Sequence, residues 1–254
     1  MPHVDTSRGE MFYAKKRGPA GGPKLVLVHG AGGSHLHWPA QLRRLSGATV
    51  YSLDLPGHGR SRERGCETIE AYVAALVAFL DGADVDSAVI VGHSMGGAIA
   101  QKLALTRPER VLALVLVGTG ARLRVAPAIL EGVKDDFERV VDLITRYAWS
   151  SDADPEMKEL GREALREAGP DVLLGDFLAC DRFDVMDRVS EIEVPTLVIG
   201  GTRDELTPLK YSRFLAEQIA NAQLTAVEGA GHMVMLERPE ETVDAIREFD
   251  LPGL

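Results

Sequence analysis

Three residues that together could make an oxygen nucleophile stand far apart along this chain of 254 residues. Ser94 lies in Gly92-His93-Ser94-Met95-Gly96-Gly97, directly after the β-branched run Val89-Ile90-Val91. A strand that stops at Gly92 and a helix that starts after Ser94 would hold the serine on a sharp turn, its hydroxyl clear of the sheet. The flanking glycines answer a steric need, since a Cβ where strand and helix backbones cross would collide with its neighbour. The helix N-terminus also directs free N–H groups toward the place where negative charge develops during attack on a carbonyl. A serine hydroxyl is protonated at neutral pH and needs a base. Of the seven histidines, His232 has the best position, in the glycine loop Glu228-Gly229-Ala230-Gly231-His232-Met233 after the last apolar run. The base in turn needs a carboxylate to hold its tautomer. Asp204 in Gly201-Thr202-Arg203-Asp204-Glu205 supplies one, with Glu205 as the neighbouring alternative. The predicted chemistry is acyl transfer through a serine.

Bringing these side chains to one place requires a parallel sheet. Continuous apolar runs at 25–28, 48–53, 89–91, 111–117, 195–200 and 223–227 predict strands, most of them buried on both faces. Helical periodicity separates them, over 67–80 with Thr68 as a cap, after Ser94, over 209–219 and over 239–249. Met11-Phe12-Tyr13-Ala14 reads as one member of an early strand pair whose partner the pattern does not identify. The alternation breaks between 121 and 190, where helix-favouring stretches at 128–147, 155–168 and 171–189 predict an inserted helical cap. The expected organisation is a core over 1–120, a cap over 121–190 and the rest of the core over 191–254. The strand at 25–28 leads into His29-Gly30-Ala31-Gly32-Gly33-Ser34, a loop whose backbone N–H groups can face a ligand. Because no Gly-Lys-Ser/Thr follows, and the spacing is wrong for a dinucleotide fingerprint, it is not read as a phosphate loop.

A net charge of -10 argues against nucleic acid or an anionic membrane as partner. Cys66 and Cys180 lie far apart without metal-ligand spacing, so neither a disulfide framework nor a metal is expected. Met1-Pro2-His3-Val4-Asp5 carries no signal-like segment and no apolar run is long enough to span a bilayer, which sets the expectation of a cytoplasmic protein acting on a small molecule without a cofactor.

The chain order Ser94, Asp204, His232 is that of the α/β hydrolases. Together with His29-Gly30-Ala31-Gly32-Gly33, Asp54-Leu55-Pro56-Gly57-His58-Gly59-Arg60-Ser61 and the serine motif, the sequence resembles a cap-bearing member of the α/β-hydrolase superfamily. Within it the chain is most similar to small bacterial carboxylesterases and the 3-oxoadipate enol-lactonase-like group. The resemblance implies an α/β-hydrolase fold with an eight-stranded, mostly parallel sheet. It also implies an oxyanion hole made by the backbone N–H groups of Met95 and Ala31, with Gly32 competing for the second place. His29, His58 and His93 are expected as support residues, and His35, His37 and Trp38 either at the pocket mouth or in a structural or surface role. Phe137, Tyr147, Trp149, Phe177, Phe183 and Met186 are the cap side chains available to line an apolar pocket, and Gly32, Trp38, Trp149 and Phe177 are taken as substrate-binding. The implied activity is hydrolysis of a small carboxylic ester through an acyl-enzyme. Enol-lactone or diketone hydrolysis, perhydrolysis and a slow-turnover receptor are the alternatives.

Overall fold

A computed structural model describes residues 2–6, 9–61 and 64–249. The expected core reaches residues 1, 7, 8, 62, 63 and 250–254, which lie outside the described ones.

The described chain runs through strands β1 (His3–Thr6), β2 (Gly9–Lys16) and β3 (Lys24–Val28), then helix α1 (Ala40–Arg43), strand β4 (Thr49–Leu53), helix α2 (Ile69–Gly82), strand β5 (Ala88–His93), helix α3 (Met95–Thr106) and strand β6 (Val111–Val117). Helices α4 (Pro127–Asp135), α5 (Phe137–Ala148) and α6 (Pro155–Arg182) follow without a strand. The sheet resumes with β7 (Thr196–Gly201), α7 (Leu209–Gln218) and β8 (Ala222–Val227), and the chain closes with α8 (Val234–Glu237) and α9 (Pro239–Glu248). All eight strands form one sheet in the order β1-β2-β4-β3-β5-β6-β7-β8. Pairing is parallel from β4 to β8, and β1 and β2 are antiparallel. The partner of the 11–14 segment is therefore β1, too short and polar to be recognised from its own pattern.

Alternation explains why the central strands are apolar throughout. Leu25, Leu27, Val89, Val91, Ala113 and Val115 enter one core, which also holds Trp38, Leu42, Val243 and Ile246 from the α1 and α9 side. Val26, Val28, Ile90, Leu114 and Leu116 point the other way, against Leu76, Phe79, Ile99 and Leu103 of α2 and α3. Helix α2 starts where Thr68 Oγ1 accepts from Ala71 N at 3.2 Å, as its sequence predicts.

The segment between β6 and β7 differs from expectation in detail. The predicted helix over 128–147 is two, because Asp136 leaves helical geometry (φ -152°, ψ 74°) and caps α5 by accepting from Arg139 N at 3.3 Å. The stretches at 155–168 and 171–189 join in α6 across a break at Gly169 (φ 78°, ψ 167°), where Pro170 follows and offers no N–H. That helix stops at Arg182 rather than 189. Among the described residues no helix is long and apolar enough to cross a membrane.

Candidate active site

Four loops at the carboxyl edge of the parallel strands meet where the strand order reverses, between β3 and β5, the usual ligand crevice of such sheets. Ser94 follows β5 directly and has φ 51° and ψ -116°, a left-handed conformation that a residue with a Cβ adopts only under constraint. Its N–H donates to Val117 O at 2.9 Å and its carbonyl accepts from Thr119 Oγ1 at 2.8 Å, so β6 holds the turn. A Cβ at Gly92 would lie 2.3 Å from Gly96 O, and one at Gly96 would lie 2.1 Å from Val28 O. Both glycines are thus required by the close crossing of β5, α3 and β3.

Asp204, three residues past β7, and His232, five past β8, are both buried. His232 Nδ1 and Asp204 Oδ2 are 2.9 Å apart, which leaves the other ring nitrogen of His232 available to a partner in the cavity it lines with Ser94. Glu205, the sequence neighbour, is exposed. Among the described residues no hydrogen bond joins Ser94 Oγ to the imidazole, and catalytic hydrogen bonds are often long before a substrate binds. Burial opposes ionisation of Asp204, but the facing imidazole and the hydrogen bonds from His232 and Thr207 prevail and hold its carboxyl below the ordinary carboxylate value.

Thr207 was not identified from sequence. Its hydroxyl lies 2.8 Å from Asp204 Oδ2 and 3.1 Å from His232 Nδ1, and its N–H donates to Asp204 Oδ1 at 2.8 Å. A threonine three residues after an aspartate in a turn is the local signal for such a cap.

The N–H groups of Ala31 and Gly32 differ in their partners. Gly32 N–H donates to Asp176 Oδ2 at 2.8 Å and does not face the cavity. Among the described residues the N–H groups of Ala31 and Met95 donate to no protein acceptor, and Ala31 lines the cavity beside Ser94. Gly32 as a substrate-binding residue is therefore corrected: its N–H is spent on anchoring the loop.

Asp176 is the second residue the sequence reading missed. It sits fully buried on α6 and accepts from Gly32 N, from His58 Nε2 at 2.8 Å and from Tyr72 Oη at 2.5 Å. His58 Nδ1 faces Pro56 O at 3.0 Å, so both ring nitrogens meet acceptors. Burial works against the His58 imidazolium, but the Asp176 carboxylate outweighs it and raises the histidine pKa. The signal in sequence is a lone acid within the apolar stretch from Val172 to Cys180.

His29 accepts from Leu55 N at 3.1 Å through Nε2, which makes Nδ1 the donor to Gly30 O at 2.7 Å and ties the two loops together. His93 Nε2 donates to His232 O at 3.1 Å and so holds the loop carrying the imidazole. Burial drives the pKa of both rings well below the usual histidine value, so both are neutral donors. His35 is buried against Asp54 Oδ1 at 2.8 Å, and only His37 of that group reaches the cavity. Trp38 corrects the expectation of a pocket residue, for it is fully buried in the core with Leu42 of α1 and Leu45 just after it, where its large apolar ring is removed from water.

The cavity has two lobes that share Ala31, Ser94, Ile144, Phe177, Leu206 and His232. One continues past Ala148, Trp149 and Leu165, and the other past Leu123, Ile129 and Tyr211. Of the side chains expected there, Trp149 and Phe177 line it, Phe183 lies in the core, and Phe137 packs beside Val141 and Leu173 of the helices between β6 and β7. Among the described residues no cluster of His, Cys, Asp or Glu could hold a metal.

Comparison with known proteins gives the same picture at family level. The model of an alpha/beta hydrolase family matches residues 25–245. A solved structure described as a thermophilic esterase is 40% identical, covers 98% of this chain and 96% of its own, and superposes with a TM-score of 0.87. An N-acyl homoserine lactone degrading enzyme is 26% identical, with coverage of 98% and 100% and a TM-score of 0.85. Among curated proteins, a pimeloyl-[acyl-carrier protein] methyl ester esterase of Aliivibrio fischeri is 28% identical over 90% of this chain and 93% of its own length.

Proposed function

Because the chain belongs to the alpha/beta hydrolase family, we propose that it is a carboxylic ester hydrolase working through Ser94, His232 and Asp204. Hydrolysis of the esterase kind is supported by the relatives. The observation that carries the finer reading is Ser94, forced into a left-handed turn at the mouth of the cavity that buried His232 lines while paired to Asp204.

In the proposed mechanism His232 takes the Ser94 proton as the oxygen attacks the ester carbonyl, and Asp204 supports the imidazolium that forms. The oxyanion is received by the N–H groups of Ala31 and Met95, donors worth about 3 to 4 kcal/mol each. His232 then protonates the leaving alcohol, and water repeats the sequence on the acyl-enzyme to release the acid. Residues 121–190 act as a cap between core halves 1–120 and 191–254, closing the cleft from above with Ile144, Trp149, Leu165 and Phe177. The expected substrate is a small neutral molecule in a cleft whose named walls are apolar, and no cofactor takes part.

Ser94→Ala should lower kcat on p-nitrophenyl acetate by roughly 100,000-fold with the fold intact. Labelling of Ser94 by a fluorophosphonate, read by mass spectrometry, checks the nucleophile directly. Wild-type turnover in the variant would remove the assignment. A lactone is the second reading, favoured by the similarity to the homoserine lactone enzyme, and a panel of lactones beside the esters separates the two.

A further inference from the structure

The two lobes at Ser94 differ at their far ends. Every residue lining the lobe toward Trp149 is buried or half-buried, whereas Arg124 and Ala126 on the other are exposed, so the first is blind and the second opens to solvent. The blind end is one residue thick. His37, Trp149, Gly161 and Met233 line the lobe on one side and an outer groove on the other. Trp149 closes it by packing against a residue without a side chain, since a Cβ at Gly161 would lie 2.9 Å from Trp149 Cζ2 and 3.1 Å from Nε1. Ala148 O accepts from Met233 N at 3.1 Å, and the Glu237 carboxylate accepts from Ser150 N at 3.2 Å and Gly231 N at 3.1 Å. Both neighbours of Trp149 are thereby tied to the loop that carries His232, so the wall and the imidazole keep one spacing.

We infer that Trp149 is a specificity-determining residue, whose ring ends the blind lobe and limits one arm of the ester to a short uncharged alkyl group, while the other arm lengthens through the open lobe. The inference rests on the esterase reading above. Ser94 and His232 line both lobes, so each arm enters its lobe with the carbonyl at Ser94. The blind lobe holds about 90 Å³. A cavity of roughly 150 Å³ takes the six carbons of benzene, which scales to about four carbons here. Among the described residues no acid, lysine or arginine lines this lobe, so a charged arm would be buried without a counter-ion. Burial holds the pKa of His37 down at about 4 and that of His93 well below the usual value, so neither gives a cation at neutral pH.

The test uses the whole protein and two ester series, p-nitrophenyl alkanoates from acetate to decanoate and alkyl acetates from methyl to octyl. In one series kcat/KM should climb about three- to four-fold per methylene up to about four carbons. It should then fall at least about tenfold by eight carbons, as the arm meets the ring. The other series should show no such fall, and which series falls identifies the arm that the blind lobe takes. Trp149→Ala should raise the eight-to-four-carbon ratio of the falling series at least about tenfold and leave that of the other series unchanged. Trp149→Phe, the milder change should the first variant fold poorly, should raise the same ratio at least about threefold. A fall in neither series or in both, or ratios unmoved by the variants, would overturn the wall while acetate hydrolysis upheld the esterase reading. Calorimetry on Ser94→Ala protein tests the wall without turnover, with butanamide against octanamide and N-butylacetamide against N-octylacetamide. In one pair the longer member should bind at least about tenfold more weakly than the shorter, and adding Trp149→Phe should recover at least about threefold of that loss. No difference in either pair, or no recovery, overturns the inference whether or not the protein hydrolyses esters.

Discussion

Asp204 accepts from Leu206 N, Thr207 N, Thr207 Oγ1 and His232 Nδ1, so its position is set by its own turn before any substrate arrives. Asparagine at that position would present an N–H to His232 Nδ1 and force the proton onto the nitrogen that accepts from Ser94 in the proposed mechanism. Asp204→Asn should therefore lower kcat on p-nitrophenyl acetate about 10,000-fold while circular dichroism stays unchanged. Thr207→Val removes one donor and leaves both backbone N–H groups in place, a loss of about 1 kcal/mol, or about fivefold in kcat. Ser94, Asp204 and His232 stood out in the sequence because each lies in a glycine-containing loop after an apolar run and the three follow the chain order of the α/β hydrolases. Thr207 was not, because its role exists only once the loop closes on Asp204.

Helix α6 is tied to the loops around the sheet through Asp176, and this one carboxylate joins three elements: Gly32 of the loop after β3, His58 of the loop after β4, and Tyr72 of α2. Truncation would leave the buried His58 ring, a phenol and a backbone N–H without their acceptor. Asp176→Ala is expected to cost about 3 to 5 kcal/mol in urea unfolding. It should also lower kcat on p-nitrophenyl acetate more than Asp176→Asn does, since the amide oxygen can still receive Gly32 N–H. Equal kcat in the two variants would show that the loop holds its shape without the cap. The helices of this region were legible as helices from their composition. Their ends were not, because Asp136 and Gly169 act as local breaks inside stretches that otherwise favour helix.

For the molecule as a whole, buried histidines set how stability depends on pH. The pKa values of His29, His37 and His93 lie below the ordinary 6.5, mainly through burial, so the folded protein stays neutral there while the unfolded chain takes up protons. Their contribution is present above 6.5 and is lost as pH falls, through about 4 for His37. The pKa of His58 is raised because the Asp176 carboxylate outweighs burial. Its contribution is full below 6.5 and is lost as pH rises through the raised value. Melting temperature should thus fall on both sides of neutrality, and His58→Gln should flatten the alkaline side alone. Differential scanning calorimetry across this range checks it, and an alkaline slope unchanged in the variant would remove His58 as the cause.

The sequence by itself determined the strand order of function: which apolar runs become central strands, and that Ser94, Asp204 and His232 follow three of them. Those features are local, since a run buried on both faces must be apolar along its whole length and a turn as tight as that at Ser94 demands glycines beside it. Tertiary structure alone decided that Gly32 N–H goes to Asp176 and that Trp38 turns into the core. Each of those outcomes depends on a partner distant in the chain, 144 residues away for Gly32, and no spacing within either segment records which partner arrives.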